Sequence, residues 1–272
     1  MERSSLPFWE KLSRSFKFGP PLAPGDDDVE WYRSHADALL KPQSNGSVAA
    51  MLLGVTPRLA TMPRPQGSRL VLVDWSSGMV RNVLPAGVQR TDVVLGDWRE
   101  LPLAAASCSV AFCDFLFPAM PTRDDAQIVL REIARVLRPR SLLCIRCFLR
   151  IDDTPAAVWR ELDEGNVASL GALRMRLVAS IQGPAQKGPT LDEVWRVWDR
   201  RYSDRTALAR RLRGATGALD TFERWKGKHY RHWFPTEQDL RALAAPHFET
   251  EELAFPDYVP GKQIARIALR AR

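Results

Sequence analysis

The sequence predicts an α/β domain built on a mostly parallel sheet, and two observations carry that prediction. Short apolar runs recur from about residue 47 onward: VAAMLLGV, RLVLVDW, DVVLGDW, CSVAFCDFLF and SLLCIRCF. Each is strand-sized and apolar on both alternations, as strands buried on two faces require. Helical stretches such as TRDDAQIVLREIARVLRP alternate with them, and that alternation implies parallel pairing through right-handed crossovers.

The chain has 272 residues, 45% of them apolar, enough to form a core without disulfides or metal. Charged residues make up 26%, and no apolar run approaches the roughly 20 residues that cross a bilayer, which excludes a transmembrane class and wholesale disorder. The opening MERSSLPFWEKLSRSFKFG lacks the unbroken apolar segment and cleavage site of a secretory signal, so a cytoplasmic location is expected.

Taken in order, residues 1–45 read as an N-terminal helical lid. The aromatic amphipathic stretch LPFWEKLSRSFKFG precedes a Pro and Gly break between Gly19 and Gly25. Asp26 to Asp28 then open a helix, since acids in a first turn complement the helix dipole, and Val29, Trp31, Tyr32, Ala36, Leu39 and Leu40 follow at helical spacing. Residues 46–150 form the α/β core, in which Ile128, Val129, Ile133, Val136 and Leu137 make the apolar stripe of a helix from about Asp124 to Leu137, stopped by Pro139. Residues 151–230 carry helix formers without a strand pattern and read as a helical insertion. Residues 231–272 give the helix PTEQDLRALAAP and two strand candidates, HFETEELAFPDY and KQIARIALRAR, able to close the sheet as an antiparallel pair.

Thirty-nine Lys and Arg against 32 Asp and Glu give a net charge of +7, which favours acidic ligands without identifying a nucleic-acid binder. The densest basic stretch, Arg200, Arg201, Arg205, Arg210, Arg211 and Arg213, has the spacing of a solvated helix face. Cys108, Cys113, Cys144 and Cys147 sit inside apolar segments. Cys144 and Cys147 fall on opposite faces of one strand, so they close neither a disulfide nor a zinc site, and no metal is expected.

Ligands of open parallel sheets collect beyond the carboxyl ends of the strands. The residues there are Gly54-Val55-Thr56-Pro57, then Asp74-Trp75-Ser76-Ser77-Gly78-Met79, then Gly96-Asp97-Trp98, then Asp114-Phe115. Asp74, about 20 residues past the first turn, is placed to accept hydrogen bonds from a ribose diol, and Asp97 to take an amine donor.

With these residues in view, the chain resembles the class I S-adenosylmethionine-dependent methyltransferase family, in its small-molecule branch. The resemblance rests on LLGVTP, LVLVDWSSGMV, VVLGDWRELPLAAASCSVAFCDFLF and VLREIARVLRPRSLLCIRCF, covering about residues 47 to 150, with Phe234 to Ala271 matching the closing helix and hairpin. It implies a doubly wound, mostly parallel seven-stranded sheet of Rossmann-like form, the last strand antiparallel, and S-adenosylmethionine as cofactor. It places Gly54, Val55 and Thr56 under the methionine part, and Asp74 at the ribose hydroxyls with Trp75, Ser76 and Met79 around sugar and adenine. Gly96, Asp97 and Trp98 fall beside the adenine, and Asp114 and Phe115 face the sulfonium. The family's loop has two or three glycines where this chain has Gly54 alone, so a noncatalytic methyltransferase-like partner subunit stays open as an alternative.

Methyl transfer needs an oriented nucleophile and, for some acceptors, a base. Candidates for the acceptor site are Tyr32, Arg146, Phe148, Tyr202, Tyr230 and Trp233, with His232 as the base because histidine titrates near neutrality. The reading is a methyltransferase acting on oxygen or nitrogen of a small aromatic or acidic molecule in specialised biosynthesis. RNA is the alternative acceptor, no membrane partner is expected, and a homodimer is the candidate assembly.

Overall fold

Seven strands form one sheet in the computed structural model, which describes residues 6–15, 19–40, 49–88, 90–150, 154–164, 170–211, 222–257 and 263–272. The strands are β1 (Ala49–Leu53), β2 (Arg69–Asp74), β3 (Thr91–Leu95), β4 (Cys108–Asp114), β5 (Leu137–Phe148), β6 (Phe248–Ala254) and β7 (Ile264–Ala271). Their order is β3-β2-β1-β4-β5-β7-β6. The first five pair in parallel, and β7 enters antiparallel to both β5 and β6. This is the doubly wound, mostly parallel sheet with one reversed strand that the sequence implied.

Strand alternation divides the core into two layers. Ala50, Leu52, Leu70, Leu72, Val110, Phe112 and Cys144 pack against α2 (Asp26–Leu39), α3 (Pro57–Ala60) and α4 (Ser77–Val83). Met51, Leu53, Val71, Val73, Ala111, Cys113, Ile145 and Cys147 face α5 (Arg123–Val136) and the C-terminal α10 (Glu237–Ala244). Cys144 and Cys147 therefore lie on opposite faces, and all four cysteines are free thiols. The edge strand β3 departs from the expectation of two buried faces. Val93 is 40% and Leu95 56% exposed, because β3 has a neighbour on one side only.

Local chemistry sets the helix ends. Thr122 caps α5 by accepting from the Asp125 amide at 3.1 Å, Asp124 and Asp125 fill its first turn, and Ala126, Val129, Leu130, Ile133 and Val136 form its buried stripe. The helix passes directly into β5 at Leu137, two residues before Pro139. In the insertion, α6 (Pro155–Asp163), α7 (Leu170–Gln182), α8 (Leu191–Arg201) and α9 (Arg205–Arg211) share a core of their own that also takes in Phe148 and Ile264 from the sheet. Arg201 pairs with Asp163, and Arg205 with Asp199 and Glu223, as a solvated face does. Arg213 and residues 47–48 lie outside the described residues. Among the described residues no helix is long and apolar enough to cross a membrane.

At the N-terminus, α1 (Leu6–Ser13) docks on the start of α4. Glu10 accepts from the Ser76 hydroxyl at 2.7 Å and the Gly78 amide at 2.8 Å, and these bonds hold its carboxyl below the usual range. By contrast α2 lies flat on the sheet: Tyr32 and Ala36 are fully buried.

Candidate active site

The site begins where β1 and β2 end at the same level, Leu53 opposite Val73. The chain turns there at Gly54, whose φ of +82° suits a residue without a side chain. A Cβ on Gly54 would stand 3.3 Å from the Trp98 ring. The turn brings the Val55 amide to Asp74 Oδ2 at 3.0 Å, and the Ser76 amide donates to Oδ1 at 2.7 Å. Asp74 is 8% exposed. Burial pushes its carboxyl up to about 6 despite these donors.

Trp98 packs under this turn, its indole N–H donating to the Val73 carbonyl at 3.0 Å. Its neighbour Asp97 is turned to Arg99, which donates to it at 2.8 Å. Partial burial raises the Asp97 carboxyl, but the hydrogen bonds from Arg99 outweigh that and bring it down to about 2. At the tip of β4, Asp114 receives two guanidinium bonds from Arg146, at 2.7 and 3.2 Å, and Phe115 takes a φ of +57°.

These tips form the floor of a cavity of about 1220 Å³. Gly54, Val55, Thr56, Asp74, Trp75, Met79, Trp98, Asp114 and Phe115 line it. Across from them stand Phe8 and Trp9 of α1, Arg174 and Met175 of α7, and Arg224, Trp225, Tyr230 and His232. Phe8 stacks on Tyr230 with centroids 5.3 Å apart. The Arg174 guanidinium lies 4.5 Å from the centre of the Trp225 ring. The hydroxyl of Tyr230 and Nδ1 of His232 both reach the Pro118 carbonyl, at 2.9 and 2.7 Å. A carbonyl only accepts, so His232 Nδ1 carries the proton and Nε2 keeps the lone pair. Burial lowers the His232 pKa to about 4, so the ring is neutral at pH 7.

Several residues expected at the site stand elsewhere. Ser76 is fully buried, capping α4 by accepting from the Met79 amide. Gly96 leaves room for Pro102, which a Cβ would meet at 2.8 Å, and Asp97 is committed to Arg99. Tyr32 is a core residue whose hydroxyl donates to the Cys113 carbonyl at 2.8 Å. Arg146 is fully buried among acids, so it pairs within the fold and does not meet an acceptor. Phe148 packs on Phe234, Tyr202 donates to Asp163 inside the insertion, and Trp233 packs on Phe117 with its indole donating to the Ala185 carbonyl at 3.3 Å. The sequence reading missed Phe8, Arg174 and Arg224 as cavity residues, while Trp9 and Trp225 belong to the tryptophans outside the sheet whose flat faces suit a ring. Arg174 gave one signal, a charged position between Leu173 and Met175 that helix packing buries.

The floor suits a nucleoside. A carboxylate has about four acceptor positions, and Asp74 gives two of them to backbone amides, leaving capacity for a diol. The bare Gly54 lets a ligand approach the backbone beside the flat face of Trp98. Trp75 lines the same space, and its buried indole N–H has no hydrogen-bond partner among the described residues. No group of three His, Cys, Asp or Glu among the described residues is placed to hold a metal ion.

Residues 54–145 match the methyltransferase domain family. No curated protein sequence matches the chain. Among solved structures, one from Rhodobacter sphaeroides, given the provisional description Zn-dependent alcohol dehydrogenase, is 16% identical with a TM-score of 0.61, all of each chain being covered. The PH0226 protein of Pyrococcus horikoshii is 14% identical with a TM-score of 0.51, covering 94% of this chain and 100% of that one. Both likenesses are of fold. A SAM-dependent methyltransferase of Methanosarcina mazei, 14% identical over 84% of this chain and 93% of its own, reaches a TM-score of 0.49, too low to carry weight.

Proposed function

We propose that the chain is a class I S-adenosylmethionine-dependent methyltransferase, a reading supported by the methyltransferase-domain match over residues 54–145, and that its acceptor is a small aromatic molecule bearing an anionic group, methylated on oxygen or nitrogen in a biosynthetic reaction. The observation that carries this reading is the charge of the cavity wall. Lys11, Arg14, Arg174, Arg224 and Lys228 line it, with Arg58 also there but paired with Asp26, against Asp74 and Asp114 among the described acids. Asp114 is already neutralised by Arg146. A cationic chamber that also presents Phe8, Trp9, Tyr230 and Trp225 favours a flat ring carrying a carboxylate or similar anion.

When bound, the cofactor supplies an electrophilic methyl group on a sulfonium. The residues of this chain then have to orient a nucleophile and exclude water. Asp74 holds the ribose diol, while Phe8, Trp9 and Tyr230 enclose the acceptor. His232 Nε2 accepts a hydrogen bond from the acceptor's O–H or N–H and takes the proton as the nucleophile loses it. Its pKa of about 4, set by burial, departs from the near-neutral titration expected from the sequence, so Nε2 is unprotonated at neutral pH but a weak base that contributes mainly by orienting the nucleophile.

Isotope-labelled methyl transfer to a panel of aromatic acids and their methyl esters tests the reading. Labelled product is expected from phenolic or amino-substituted acids, and equal transfer to the neutral esters would overturn the anionic class. Arg174→Met should lower kcat/KM for such an acid roughly tenfold to a hundredfold, the worth of one charge-assisted contact, with S-adenosylhomocysteine affinity within about threefold. His232→Ala should reduce kcat more than it raises KM, and an unchanged kcat would mean that orientation by the other wall residues suffices.

A further inference from the structure

Arg146 has no exposed surface, yet it touches three parts of the chain. Its Nε and Nη2 grip Asp114 at the tip of β4. Nη1 donates to the Pro21 carbonyl at 2.9 Å and stands 3.3 Å from Asp28 of α2. The guanidinium covers the Phe115 ring at 4.7 Å, and the Arg146 carbonyl accepts from the Phe115 amide at 2.7 Å. Asp28 in turn accepts from the Gly25 amide and from Arg266 Nε, each at 2.8 Å. Two arginines against two aspartates make this buried cluster neutral, which is the condition for keeping charges in a core.

Two of the tethered parts are walls of the cavity. The strap formed by residues 20–24 has no sheet partner, and Pro20, Leu22, Ala23 and Pro24 line the cavity. Phe115 lines it too, and it holds a left-handed backbone that a bulky side chain keeps only where its surroundings over-determine it. Arg146 itself does not line the cavity.

We propose that Arg146 is a positioning residue that fixes the strap and the Phe115 tip as one unit, and through that unit sets the affinity for the cofactor. The claim on affinity rests on the methyltransferase reading, and the claim on joint fixation does not. The fork geometry of the guanidinium is what reaches Asp114 and Pro21 together, and a lysine ammonium returns the charge without the fork.

Arg146→Lys, followed by calorimetry with S-adenosylhomocysteine and by hydrogen exchange, tests this. The thermal midpoint should stay within a few degrees of wild type, while affinity falls about tenfold and the Leu22, Ala23 and Phe115 amides exchange about tenfold faster. Wild-type affinity in the lysine variant, or unchanged exchange at these amides, would overturn the proposal, since charge neutralisation alone would then be enough. Asp28→Asn, at a residue outside the cavity, should shift the same amides in the same direction. In the wild-type chain without ligand, these amides should open together with a common free energy, and separate opening would overturn the joint unit whatever the variants do. Failure of the wild-type chain to bind S-adenosylhomocysteine would remove the methyltransferase reading and the claim on affinity with it, leaving the exchange result to be read separately.

Discussion

Asp74→Asn is expected to weaken S-adenosylhomocysteine binding about a hundredfold, since two hydroxyl donors exchange an ionised acceptor for a neutral one, a difference of roughly 1–1.5 kcal/mol for each bond. The asparagine oxygen can still accept from one of the two backbone amides now bonded to Asp74, but its NH₂ group faces the other. Alanine, which leaves both amides unsatisfied, should lose thermal stability as well.

The pH dependence of the wild-type chain offers a second test of this carboxylate. Its pKa is raised from 3.8 to about 6 by burial, so between those values the folded state binds more protons than the unfolded chain. The stabilisation this group contributes is therefore complete below about pH 4 and lost as pH rises through 6, about 3 kcal/mol in all. Cofactor binding runs the other way, because ribose hydroxyls donate to the ionised form. Affinity measured by calorimetry should rise with pH through 6 and level off above 7. The asparagine variant should show no such rise, and a flat wild-type profile from pH 5 to 8 would place the diol elsewhere.

Gly54→Val should abolish measurable S-adenosylhomocysteine binding. A β-branched residue at φ +82° is strained by about 1–3 kcal/mol, and its Cβ would press on Trp98 at 3.3 Å and approach Asp74 Oδ2 at 3.9 Å. The turn can relieve this only by moving, and movement withdraws the Val55 amide from Asp74. The thermal midpoint should fall by about 5–10 °C, as a chain of this size loses a few degrees per kcal/mol. Retained binding with an intact fold would show that the glycine turn is no part of the cofactor site.

The sequence displayed its sheet and strand tips openly, and its acceptor side hardly at all. Buried parallel strands read as continuous apolar runs, so the residue that ends each run is easy to find, and Gly54, Asp74, Trp98 and Asp114 all meet at one floor. Asp97 escaped that logic through a local pairing with Arg99, two residues away. The opposite wall draws Phe8, Arg174, Trp225 and His232 from separated segments, and no spacing rule links them. Tyr32, Trp233 and Phe148 misled because a large aromatic beside a site and one inside the core have the same appearance in a sequence. Arg146 misled for a different reason: its partner Asp28 lies in α2, more than a hundred residues away.

The core inside the insertion is completed by Phe148, Phe234 and Ile264, none of which belongs to the inserted segment. A chimera that transplants only residues 154–230 onto another domain of this fold would open a void under the graft, at roughly 2–5 kcal/mol for each large side chain left without its partner. Redesign of acceptor scope in this scaffold should therefore move those three residues together with the segment they support.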